Sequence, residues 1–177
     1  STNQFGTTTK GNKWEAGYIY NYTFGKDVFG EVGIEVKEEF NASAGTKKNV
    51  KVSNVKSSAA YVRATVVANW CTSGTNSKVY TPYTGEITYN TKDWIKGGDG
   101  YYYSRRPVTG YSDSEVLISS FQCPSTAPAS PYELHLEMNI ISQAVTYDVK
   151  DDKSYTVEWA WGDEEGKLDV YGDLEKL

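Results

Sequence analysis

The chain has 177 residues but one histidine, two cysteines, one methionine and five prolines, and these shortages exclude much. A zincin centre needs two histidines four apart on a helix with a glutamate between them, and His135 stands alone. Serine triads and Cys–His dyads also need a histidine base, so His135 would have to serve any of them. No Gly-x-Ser-x-Gly elbow is present to offer a nucleophile. Gly97-Gly98-Asp99-Gly100 is followed by Tyr101 and not by Lys-Ser/Thr, so it reads as a turn and not as a phosphate loop. No apolar run approaches the roughly 18–20 residues that span a bilayer as a helix, and no membrane insertion is expected. The net charge is −5 with both signs interspersed, which leaves no basic patch for nucleic acid. Leucine is sparse and helical periodicity is hard to find. The single Met is residue 138 and the chain opens at Ser1; a removed signal peptide or a trimmed boundary would leave such a start.

What is abundant is strand-forming. Fifteen tyrosines accompany many valines and threonines, the composition of pleated, half-buried surfaces. Residues 14–24 alternate, with Tyr18, Tyr20, Tyr22 and Phe24 on one face. Residues 28–40 follow, with Val32, Ile34 and Val36 sharing a side. Residues 49–55 and 60–70 form a pair joined by a Lys-Ser-Ser-Ala turn. In the second of these, Val62, Ala64, Val66, Ala68 and Trp70 make a wholly apolar face that another sheet must cover. Residues 86–95 and 101–106 read as a glycine-turned hairpin, and 114–121, 134–144 and 155–161 as further strands. About nine short, closely spaced strands predict an all-β fold, a β-sandwich or jelly roll with an extended N-terminal segment. Residues 1–13 are polar and Thr-rich with Phe5 as their one large apolar group. They are set apart from a domain over 14–177.

The run Val52, Asn54, Ala60, Tyr61, Val62, Arg63, Ala64 and Val66 resembles the strand pair of the TasA/camelysin family of secreted bacterial matrix proteins. Three further stretches are similar to that family and occur in its order: VFGEVGIEVKEEF at 28–40, DWIKGGDGYYYSRRPV at 93–108, and ELHLEMNIISQAV at 133–145 with Ala-Trp-Gly at 160–162. The resemblance implies a jelly-roll subunit exported to the extracellular matrix or cell surface of a bacterium. It would polymerise with copies of itself, with other matrix proteins or polysaccharide as further partners, and would need no cofactor. In related fibres an N-terminal segment adds as a strand to the neighbouring subunit, so main-chain pairing supplies the affinity and alternate side chains fill pockets. Here Asn3, Phe5, Thr7 and Thr9 would share the donor face with Phe5 as anchor. The bland reading is a disordered terminus. Unlike the family, this N-terminus is not rich in apolar residues.

Other chemistry stays open at this point. Some family members have been described as metallo-endopeptidases, and Glu133, His135 and Glu137 would share a strand face that reads as solvated. Trp94 and Tyr102, beside Asp99 and Arg105, are candidates for a flat platform on which sugar rings stack, as in a carbohydrate-binding module; core or subunit interface is the alternative. Cys71 and Cys123 form an even pair in a chain that reads as exported, which favours a disulfide over two buried thiols. Amide cross-links between Lys and Asn or Asp are conceivable at Lys51, Lys56, Asn54, Asn139 and Asp148, and nothing in the sequence picks a pair. The expected function is a non-catalytic structural subunit.

Overall fold

A computed structural model describes residues 2–8, 11–16, 20–24, 33–41, 43–72, 80–147, 168–175 and 177. Among them are eleven strands and one helical turn, Leu168–Tyr171. The strands are β1 Thr2–Thr8, β2 Gly11–Ala16, β3 Tyr20–Phe24, β4 Ile34–Asn41, β5 Thr46–Asn54, β6 Ala60–Thr72, β7 Tyr80–Pro82, β8 Trp94–Lys96, β9 Tyr102–Ser104, β10 Ile118–Gln122 and β11 Leu134–Thr146. The chain is all-β and folds as a β-sandwich. The expected strand at 155–161 lies outside the described residues, as do 28–32.

The longest strands, β6 and β11, pair antiparallel over their whole length, from Leu134 opposite Thr72 to Thr146 opposite Ala60. Each offers its other edge to two shorter strands in succession. On β6 these are β7 at Asn69–Cys71 and β9 at Arg63 and Ala64. On β11 they are β1 at 134–139, antiparallel, and β3 at 141–145, parallel. A smaller sheet in the order β10-β5-β4 completes the sandwich.

Period-two alternation accounts for the core. Val62, Ala64 and Trp70 from β6 meet Leu134, Leu136, Met138 and Ile140 from β11 on the inner face of the large sheet. Ile34, Val36, Val50, Val52, Ile118 and Phe121 cover them from the small sheet. Burying each such side chain contributes about 1.5–3 kcal/mol, and this interleaving holds the two layers together. Among the described residues, the opposite face of the large sheet carries a second apolar cluster at one end. There Tyr61, Tyr103 and Val145 are covered by Val170, Tyr171 and Leu174 of the C-terminal segment. That segment is tied down by Tyr61 Oη donating to the Glu175 carbonyl at 2.9 Å and by Glu175 N donating to the Arg105 carbonyl at 2.7 Å.

Two loops depart from simple alternation. Residues 86–93, expected to be strand, are not, because Asn90 organises a turn. Its Oδ1 accepts from Lys92 N at 3.2 Å, and its Nδ2 donates to Asp93 Oδ2 at 2.8 Å and to the Val116 carbonyl at 2.9 Å. Asx-type hydrogen bonding of this kind competes directly with a strand ladder. Asn54 acts similarly at the β5–β6 connection. Its Nδ2 donates to the Ser58 carbonyl at 2.7 Å and its Oδ1 accepts from Lys56 N at 3.1 Å.

A candidate assembly edge and its surroundings

β11 carries the features that bear on assembly. Its inner residues Leu134, Leu136, Met138 and Ile140 are buried, and alternation sends His135, Glu137 and Asn139 to the other face. One edge is fully used by β6. The other would present unpaired N–H and C=O groups if β1 and β3 were withdrawn, and such a row invites pairing with any available strand. β1 fills the first part of it. Asn3 stands opposite Met138, Phe5 opposite Leu136 and Thr7 opposite Leu134, while Thr9 lies outside the described residues.

Residues 1–13, expected to be a donor segment, contain β1 and the first part of β2. β1 pairs within its own chain, between β11 and β2, and the supposed boundary at residue 13 falls inside β2. The physical reason is local concentration: a covalently tethered strand competes well for an open edge beside it.

Trp94 and Tyr102 form no exposed platform. Trp94 is fully buried, with Nε1 donating to the Glu115 carbonyl at 3.1 Å. Tyr102 is buried against Tyr89, the ring centroids 4.0 Å apart and nearly parallel. Both belong to the main core, as the pairing β8–β9 against β6 requires. Tyr103 lies on the opposite face, as alternation demands, and joins the second cluster.

Arg63 is a highly connected polar group on that second face, and sequence reasoning assigned it no role. It is nearly buried, with Nε donating to Gln143 Oε1 at 2.7 Å and a terminal nitrogen to Tyr103 Oη at 2.9 Å. Asp99 Oδ2 lies 3.5 Å away, and the guanidinium stacks over Tyr101 at 4.3 Å. Tyr103 Oη donates to Asp99. Burial first, then that hydrogen bond, pushes the Tyr103 phenol well above its ordinary range. The set pins the β8–β9 turn to the central strands.

His135 and Glu137 are also less exposed than expected. His135 is buried, its Nε2 3.1 Å from Glu137 Oε1, and Cys71 sits directly opposite it across β6–β11 with Sγ 3.4 Å from Glu137 Oε2. Among the described residues no group of three His, Cys, Asp or Glu is arranged to hold a metal ion.

The expected disulfide is absent, since Cys71 and Cys123 are separate buried thiols. Cys71 shares the outer face of the large sheet with Tyr61 and Arg63, whereas Cys123 packs in the core on its inner side. The sheet itself lies between them. Burial pushes the Cys123 thiol up to about 12.

Two further features lie on the small sheet's side. Asp113 bridges Lys51 at 2.9 Å and Lys37 at 3.4 Å, and these bonds, with one from Ser53, hold its carboxyl below the usual range. Nearby, Asp93, Ser104, Arg106, Val108 and Glu115 line a pocket of about 110 Å³. Small-molecule sites usually hold roughly 300–1,000 Å³, so this one suits water or a single ion better than a sugar.

No family model, curated protein or solved structure matches this chain.

Proposed function

We propose that the protein is a secreted, non-catalytic structural subunit with jelly-roll topology that polymerises into matrix or surface fibres by passing its N-terminal strand to the next copy. One observation carries the reading. β1 meets the main body of the fold along a single edge of β11. Among the described strands, withdrawing it costs only its own pairings with β11 and β2. The same six cross-strand pairs, Thr2–Asn139 to Thr7–Leu134, can form between two molecules as within one. Exchange then replaces each hydrogen bond by an identical one, and protein concentration sets the balance. A head-to-tail contact whose rotation does not close makes a filament instead of a ring. The resemblance to TasA/camelysin proteins in four ordered stretches supports the same reading. No cofactor is required, and the partner is another copy of the chain.

The test is deletion of residues 1–10. The truncated protein should remain folded and monomeric while the full chain forms filaments in negative stain as its concentration is raised. Equal filament formation by the truncation would remove the strand-exchange mechanism. A full chain that stays solitary at every concentration would remove the function itself.

A further inference from the structure

The small sheet encloses an ion pair at a place where its strands are irregular. β4 keeps strict alternation, so Ile34, Val36, Glu38 and Phe40 all turn toward one side, and three of the four are apolar core or core-packed residues. β5 does not keep it. Lys51 stands opposite Lys37 but Lys48 stands opposite Glu39, so β5 carries one extra residue there. Asn49 absorbs it in the left-handed region at φ 51°, a conformation asparagine tolerates better than most residues. The bulge reverses which side the residues before it face relative to those after it. Lys47 therefore joins Val50 and Val52 on the buried side, with Phe40 and Phe121 opposite it on the neighbouring strands.

The result is a lysine with no solvent-exposed surface, its Nζ 3.0 Å from Oε2 of Glu38, whose side chain is 9% exposed. Among the described residues Lys47 Nζ has no other polar partner. Water-excluded charges of this kind are costly unless fully hydrogen-bonded, and burial favours the neutral amine. The 3.0 Å contact is an ion-pair distance to an oxygen, and it holds the Lys47 nitrogen beside the carboxyl group whose Cδ it would attack.

We propose that Lys47 and Glu38 condense into an intramolecular amide that locks β4 to β5 across the bulge. The ammonium first passes a proton to the carboxylate, giving an amine and a carboxylic acid. The nitrogen lone pair adds to Cδ of Glu38, the bond from Cδ to the protonated oxygen breaks, and that hydroxyl leaves with one proton from nitrogen as water. A charged pair becomes a neutral amide and one water, with no oxidant, metal or activating group consumed. The enclosed site favours the products because both charges vanish. This inference stands independently of the assembly mode.

Intact-mass spectrometry of the purified full chain decides it. The expected mass is that of the sequence less one water. The deficit should grow with time in the folded protein and stop growing in denaturant. Trypsin should leave residues 38–48 as one peptide, uncut after Lys47, with fragmentation placing the link on Glu38. In the Glu38→Gln variant the leaving group is ammonia, so the deficit should change to one ammonia; in Lys47→Arg it should vanish. The full sequence mass in well-folded wild type after prolonged incubation overturns the proposal. So does a deficit that persists in Lys47→Arg, which would place the dehydration elsewhere.

Discussion

Arg63 stands opposite both Gln143 on β11 and Tyr103 on β9, and it hydrogen-bonds to each. One planar guanidinium thus clamps the three strands at the level where the β8–β9 turn folds back. Asp99 in that turn supplies the opposite charge, and the Tyr101 ring caps the cation.

The first prediction follows from that fork. Lysine keeps the charge but not the fixed geometry or the stacking, so Arg63→Lys is not conservative here. It should leave a buried donor or acceptor unsatisfied and lower stability by about 2 kcal/mol. Urea unfolding of the variant measures it. A coupling near zero between Arg63→Met and Asp99→Asn in a double-mutant cycle would mean that the two residues are merely neighbours.

The cysteines give a second. Both are thiols in the structure, separated by the large sheet. Unfolding without reductant should release two titratable thiols per chain. In the folded protein Cys123 should resist alkylation, because burial raises its pKa to about 12 and the thiolate is the reactive form. A chain that yields no thiols on unfolding would restore the disulfide.

Alkaline pH supplies the third. Tyr89 is pushed up to about 12 by burial and by its neighbour Tyr102, and Tyr103 is raised as well. Raised phenol values mean that the folded state holds its protons longer than the unfolded chain does. The stability these groups contribute is complete below the ordinary tyrosine value of about 10 and is lost as pH rises through the folded values. Denaturant midpoints should therefore be flat from about pH 7 to about pH 9 and fall steeply above about pH 10. Tyr89→Phe should soften that fall. An unchanged slope in the variant would show that Tyr89 takes no part in it.

How far the sequence reveals these features depends on the range of the interaction. Alternation alone places Val62, Ala64, Trp70, Leu134, Leu136 and Met138 in the core, and Gly97–Gly100 as the turn before β9. It also puts Tyr102 and Tyr103 on opposite faces. It fails where a single residue resets the register. Asn90 turns residues 86–93 away from strand through side-chain hydrogen bonds, and Asn49 with its positive φ reverses the facing of Lys47. Both are asparagines, the residue type that most readily departs from regular backbone, and that is the one local hint. Glu38 was visible in principle, being in phase with Ile34, Val36 and Phe40. The Cys71–His135 juxtaposition was not visible, because it depends on the pairing register of two strands more than sixty residues apart in sequence. The place taken by β1 is of the same kind, since no local pattern reports which edge an N-terminal strand will find.

That edge yields the last prediction. Asn3 and Met138 are directly opposite in the β1–β11 ladder, and facing residues of antiparallel strands bring their Cβ atoms to about 4.5–5.5 Å, close enough for a disulfide after small adjustment. In a background with Cys71→Ser and Cys123→Ala, the pair Asn3→Cys and Met138→Cys should oxidise within one molecule when dilute, giving a monomer that denatures as a single chain. If strands exchange, oxidation after concentration should give covalent ladders on non-reducing gels instead. Locking the dilute protein first should abolish filaments, and reduction should restore them. Filaments formed equally well by the locked monomer would show that β1 never leaves its own β11, and that any fibre is built through another surface.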